Sequence, residues 1–173
     1  MKNKKIIIVV IVALLILVLA ILSIFRLVSY NRLVNQDILK INYSRCGGLL
    51  SYEQYLACPN VEITNDLKVT LKPGSGDAKD HEFYTFSISE DKYNNLVKVI
   101  KDSKFLLLPD KIEDRSCMDG GSSTIKVTFK DKVKETHIYC RNNKTYFKVE
   151  EAIIDSVISE DYSNYYNSIL KGE

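Results

Sequence analysis

Four cysteines, two histidines and one acidic loop hold most of the reactive chemistry in this sequence. The cysteines, Cys46, Cys58, Cys117 and Cys140, stand 12, 59 and 23 residues apart. Structural zinc sites use close cysteine pairs, and this spacing contains none, so disulfides are the expected chemistry. Three connectivities are open to four cysteines. The strand pattern set out below favours Cys46–Cys58, closing the loop between two strands, and Cys117–Cys140, closing the mouth of a hairpin. His81 sits among charged residues at a loop edge, and His137 lies mid-strand, out of phase with Thr136 and Ile138 and so toward solvent. Cys140 with His137 would make a nucleophile and base; paired cysteines and surface histidines are the plainer reading. Asp110, Glu113, Asp114 and Asp119 precede Gly120-Gly121, but without the alternating spacing of a calcium loop. No phosphate-binding glycine loop, dinucleotide fingerprint or zincin motif occurs, and Gly74-Ser75-Gly76 reads as a turn. No catalytic residue, metal ligand or cofactor is assigned.

Binding is the stronger prospect. Residues 47–57, between Cys46 and Cys58, carry Leu49, Leu50, Tyr52, Tyr55 and Leu56, apolar and aromatic side chains of the kind that anchor interfaces. They are the candidate partner-binding residues, with folding back over the sheet edge as their alternative. In the tail, Tyr162, Tyr165, Tyr166, Ile169 and Leu170 share one face of a short amphipathic helix, expected to pack on its own domain. Asn42-Tyr43-Ser44 and Asn143-Lys144-Thr145 match the glycosylation pattern, which is short enough to arise by chance.

The elements that hold these residues begin with an anchor. Ile6–Phe25 is a run of 20 uncharged residues with Ser23 as its only hydroxyl. As a helix it reaches about 30 Å, the thickness of a bilayer's hydrocarbon core. Each Leu, Ile or Val near its centre favours insertion by roughly 0.3–0.6 kcal/mol. A cleaved signal peptide would have a shorter apolar region and a small-x-small site; after Val18-Leu19-Ala20 the sequence is still apolar, so an uncleaved anchor is expected. Lys2, Lys4 and Lys5 argue for a cytoplasmic N-terminus and an extracytoplasmic C-terminal domain. The helix is expected to run past Phe25, with Leu27, Tyr30 and Val34 on one face.

The whole chain has 173 residues, 46% of them apolar and 27% charged, with a formal charge of +2. Beyond Phe25 there are 21 basic against 22 acidic residues, so the clustered basic excess of a nucleic-acid binder is missing. The organisation expected is an n-region over 1–5, the anchor over 6–25, a linker or helix extension over 26–37, an extracytoplasmic domain over 38–160 and the amphipathic tail over 161–173.

Within the domain, Leu39, Ile41 and Tyr43 alternate with polar residues as one strand. Val61–Thr64 and Leu67–Leu71 flank an Asn65-Asp66 turn as a hairpin, and Tyr84, Phe86 and Ile88 share a strand face. Ser89 reads as an N-cap for a helix carrying Tyr93, Leu96, Val97 and Ile100. Phe105–Leu108 exits into Pro109, and 110–121 reads as a loop. Ile125, Val127 and Phe129 alternate, Asp131-Lys132 turns, and Thr136, Ile138 and Cys140 return in phase. A last helix buries Tyr146, Val149, Ile153 and Val157. This predicts an α+β fold: an N-terminal transmembrane helix, then an antiparallel sheet of four or five strands packed with two helices, hairpins alternating with helices.

From Ile38 to Val157 the chain resembles the emfourin family, small inhibitors of protealysin-type metalloproteases. The likeness rests on Arg45-Cys46-Gly47-Gly48 after the first strand, the Ser89-headed helix leading to Phe105-Leu106-Leu107-Leu108-Pro109, and Asp119-Gly120 before the second hairpin. It implies a binding module; no inhibitory residue is carried over. The expected function is a membrane-anchored extracytoplasmic protein-binding module acting as a protease inhibitor. The partners expected are membrane lipid along Ile6–Phe25 and one protein, with no nucleic acid. Alternatives are an accessory subunit of a membrane complex, which the lack of a small-xxx-small face weakens, and a thiol or metal hydrolase.

Overall fold

A computed structural model describes residues 2–46, 60–72, 84–114, 116–117 and 120–157. The chain divides into two compact units, 1–36 and 37–173.

The first unit is one helix, α1 (Lys2–Val34), so the helix does run on past Phe25. No proline or glycine interrupts it. Leu14, Leu15, Ile16 and Leu17, successive residues about 100° apart around the helix, are all exposed, which puts apolar surface on every side rather than on a single stripe. Ser23 returns its hydroxyl to Leu19 O at 2.8 Å, so the run's lone hydroxyl is satisfied within the helix. Val10–Val34, with mean hydropathy 3.0 in its most apolar window, is long and apolar enough to cross a membrane.

The second unit contains seven strands: β1 (Ile38–Cys46), β2 (Asn60–Thr64), β3 (Lys68–Lys72), β4 (Tyr84–Ser87), β5 (Lys111–Glu113), β6 (Ser122–Phe129) and β7 (Val133–Tyr139). Helix α2 (Glu90–Asp102) follows β4, a single 3-10 turn occupies Phe105–Leu107, and α3 (Lys144–Val157) follows β7. The fold is α+β as expected, but the sheet is larger and mixed. Its order is β4-β3-β2-β1-β6-β7-β5, with every pairing antiparallel except β5 beside β7.

The extra strand lies in the stretch read as a loop. β5 is three residues long, too short for alternation to show, and it exists through its partner. Lys111, Ile112 and Glu113 pair with His137, Ile138 and Tyr139. His137 N donates to Asp110 O at 2.8 Å and Asp114 N to Tyr139 O at 3.1 Å, extending the ladder at both ends.

The helices cover one face. Ile41, Tyr43, Ile63, Val69, Ile125, Val127 and Phe129 point into the core with Leu96, Ile100, Tyr146, Val149 and Ile153. Burial of each large apolar side chain stabilises the fold by roughly 1.5–3 kcal/mol before entropy is charged. Leu39 was expected inward and is instead exposed, because a bulge between Ile38 and Lys40 advances the phase by one residue and buries Ile38. Tyr93 of α2 donates its hydroxyl to Ile38 O at 2.7 Å, satisfying a carbonyl at that irregularity. Burial pushes the Tyr93 phenol above its ordinary value, with Asp37 adding to the effect. Ser89 caps α2 by accepting from Lys92 N at 3.3 Å, and Glu90 and Asp91 occupy its first turn.

The sheet has two unlike ends. Segments 65–67 and 130–132 reverse the chain at one, the turn end, where 88–89 also leads from β4 into α2. At the other, the loop end, β1 finishes at Cys46, β2 starts at Asn60, β3 finishes at Lys72, β4 starts at Tyr84, β6 starts at Ser122 and β7 finishes at Tyr139. Connections 47–59, 73–83 and 114–121 leave from there, whereas the β4–β5 connection, which carries α2, leaves from the turn end.

Candidate functional site

The candidate binding residues Leu49, Leu50, Tyr52, Tyr55 and Leu56 lie outside the described residues, as do Cys58, His81, Asp119 and the tail 161–173. Their place in the chain is nonetheless defined at both ends. Segment 47–59 leaves from Cys46, which pairs with Ser122 of β6, and returns at Asn60, which pairs with Ser44 of β1.

The Cys117–Cys140 bond is present, with Cα atoms 6.1 Å apart. Cys46 is disulfide-bonded too, and its expected partner, Cys58, is beyond the described residues. The route to the first bond differs from the expected one. The β6–β7 turn falls at Lys130-Asp131, one residue early, because Phe129 N donates to Lys132 O at 2.8 Å. Cys140 therefore stands opposite Gly121, its N–H on Gly121 O at 3.2 Å, rather than opposite Ser123, where a two-residue turn at Asp131-Lys132 would place it. Cys140 is left-handed at φ 52°, a turn that carries the chain off β7. Gly120 is required beside it: a Cβ there would fall on Cys140 Sγ and lie 2.7 Å from Cys117 Sγ.

The thiol–imidazole pair is not assembled, since Cys140 is tied in its disulfide. His137 instead meets Thr124 Oγ1 through Nδ1 at 3.0 Å on the sheet's open face. The acidic loop residues are dispersed. Asp110 takes Lys134 Nζ at 2.7 Å, Glu113 faces Lys111 at 3.7 Å, and Asp114 accepts from Ser116 N and Oγ at 3.0 and 2.6 Å. Among the described residues no group of three or more His, Cys, Asp or Glu is placed to hold a metal ion.

The two glycosylation patterns fall in different settings. Asn42 is mid-strand in β1 and donates Nδ2 to Glu62 at 3.0 Å. Asn143 Oδ1 caps α3, accepting from Tyr146 N at 3.0 Å. Glu62 also faces Lys40 at 3.4 Å and Lys72 at 3.6 Å. Partial burial alone would raise its carboxyl, but Asn42 and the two ammonium groups together hold it below the ordinary range.

The feature that periodicity missed is Glu150. It lies on the inner face of α3 between Val149 and Ile153, and its side chain is 5% exposed. An isolated carboxylate there would cost several kcal/mol, so its partners matter. Tyr43 of β1 donates its hydroxyl to Oε1 at 2.9 Å, and the Arg45 guanidinium lies 3.9 Å from Oε2. Burial, then the charge of Glu150 and its hydrogen bond, push the Tyr43 phenol well above its ordinary range, with Arg45 opposing. Tyr146 is fully buried, and the polar groups around its hydroxyl are Ser123, Glu150 and Arg45. The sequence did carry one sign of this: a glutamate at i+4 from Tyr146, inside an apolar helical stripe.

Those three neighbours open onto a cleft of about 300 Å³ at the loop end, beside the Cys117–Cys140 bond. Arg45, Arg141, Ser122, Ser123 and Phe147 line it, with Glu150 at its floor. Two guanidiniums and two hydroxyls make this a site for hydrogen-bond acceptors. Compared with known proteins, the chain matches no family model and no curated protein.

Proposed function

We propose that this chain is a single-pass membrane protein whose α+β domain lies outside the cytoplasm and binds another protein through the loop end of its sheet. The observation that carries this reading is the convergence at that end of the bases of connections 47–59, 73–83 and 114–121 with the Arg45–Arg141 cleft. Binding residues are commonly carried on loops held by a rigid scaffold. Leu49, Leu50, Tyr52, Tyr55 and Leu56 are the contact residues in this reading. The continuous apolar surface of α1 supports the anchor. The Cys117–Cys140 bond supports an oxidising compartment, and Lys2, Lys4 and Lys5 support an inside N-terminus. The resemblance to emfourins supports a binding module, and protease inhibition is the activity proposed for it.

Topology is tested by adding protease to intact or wall-stripped cells. Loss of everything beyond about Arg26 is expected; a protected C-terminus would overturn the orientation. Binding is tested by crosslinking and capture from the same cells. Changing Tyr52 and Tyr55 to Ser should leave folding intact and weaken recovery of one stoichiometric partner. A large fall in melting temperature would place both in the core instead.

A further inference from the structure

We propose that the cleft beside the Cys117–Cys140 bond binds a carboxylate, with Arg45 and Arg141 as the groups that grip it and Glu150 as the residue that positions Arg45. This rests on the protein-binding reading for the source of the carboxylate, an acidic side chain or C-terminus of the partner, but not for the site itself.

The argument starts from charge and depth. Both guanidiniums are accessible: the Arg45 side chain is 58% exposed and Arg141 is exposed. The opposing charge, Glu150, is at the floor with one oxygen already taken by Tyr43. Arg141 has Asp114 within Coulombic reach, but Ser116 holds that carboxylate through two hydrogen bonds. A ligand entering the cleft therefore meets cations first. At 3.9 Å from Glu150, Arg45 is oriented by the buried charge without being closed on it in a tight fork, which leaves donor capacity for a second carboxylate. Ser122 and Ser123 add hydroxyl donors on one wall, and Phe147 supplies an apolar lip. The buried Tyr146 hydroxyl faces the same Ser123, Glu150 and Arg45. This arrangement also gives the buried glutamate a purpose. A well-packed apolar side chain in its place would be as stable or more so, but could not hold a guanidinium at the mouth.

The test uses the full-length chain in detergent micelles, observing arginine Nε–H resonances during titration with sodium acetate against sodium chloride at matched ionic strength. Saturable shifts of Arg45 and Arg141 with acetate alone are expected. R45Q and R141Q should each weaken binding tenfold or more, and R45K, which keeps the charge but loses the fork, should fall between. E150Q, in which Tyr43 still has an acceptor, should weaken it several-fold while leaving Arg141's own shift in place. Equal shifts with acetate and chloride, or unaltered titration in R45Q, would overturn the site. A tripeptide with a free C-terminus, its amide, and an amidated peptide with an internal Glu then identify the source. Acetate binding with no protein captured from cells would keep the site and remove the protein-binding reading. Capture that R45Q leaves unchanged would keep the protein-binding reading and remove the partner as the source of the carboxylate.

Discussion

At the turn end of the sheet, β2 passes to β3 through 65–67 and β6 to β7 through 130–132, with registers set by single backbone hydrogen bonds such as Leu67 N to Thr64 O at 3.0 Å. At the loop end the connections are longer, and covalent bonds stand where turn geometry cannot: Cys117–Cys140, and the bond that engages Cys46. The polar cluster of Glu150, Tyr43 and Arg45 belongs to the loop end as well. A chain that reverses within two or three residues is directed by φ and ψ alone. One that travels further pays more closure entropy and needs a staple. The loop end can therefore vary and bind, because its order does not depend on turn residues.

The largest effect should follow from removing the staple. Cys117→Ser with Cys140→Ser opens a loop with a sequence separation of 23, worth about 3.5 kcal/mol on a chain-entropy estimate. Urea unfolding should show that loss, and Gly120→Ala should lose much of the same, since its Cβ occupies the space of Cys140 Sγ. Oxidised Gly120→Ala with wild-type stability would break the contrast between the ends.

Tyr43→Phe comes next. It leaves the buried Glu150 without its short donor, and a hydrogen bond to a charged group is worth about 1.5–3 kcal/mol. Denaturation at neutral pH should show a loss of that size. At the turn end, Leu67 is left-handed at φ 68°, a conformation that disfavours a residue with a Cβ. Leu67→Gly should stabilise by about 0.5 kcal/mol once the lost side-chain packing is set against relief of the backbone. That gain should persist in the Cys117→Ser/Cys140→Ser chain, as distant sites add; strong coupling would show that the ends are not independent.

The smallest effects are electrostatic. The Lys134 hydrogen bond and charge hold the Asp110 carboxyl below its ordinary value, and Ser116 does the same for Asp114. Both folded-state values lie below the unfolded ones. Their contributions are present above the unfolded carboxylate range and fade as pH falls through the folded values. Carboxyl carbon shifts should show Ser116→Ala raising Asp114 alone and Lys134→Met raising Asp110 alone.

How much of this was legible in the sequence differs by element. Ser89, Tyr93, Leu96 and Ile100 announced α2 because cap and stripe are local signals. β6 announced itself through Ile125, Val127 and Phe129, which alternate over a full strand. Leu39 misled because a bulge is decided between strands, and alternation alone cannot register one extra residue. The β6–β7 turn was displaced by one residue for a related reason: Lys130, Asp131 and Lys132 are all turn-compatible, and cross-strand packing chooses among them. Segment 110–121 hid β5, whose three residues hydrogen-bond only to a strand more than twenty positions later.

By itself the sequence determined the apolar helix, the α+β class, the inner stripe of each domain helix and an even set of cysteines after the apolar helix. Each of these depends on hydrophobic periodicity or local backbone preference, which neighbours within a few residues already specify. Tertiary structure decided the parallel β5, the register that brings Cys140 opposite Gly121, and the meeting of Tyr43, Arg45 and Glu150 across more than a hundred residues of chain. Those depend on pairing between distant strands and on where a buried charge finds a donor, and no local pattern encodes either.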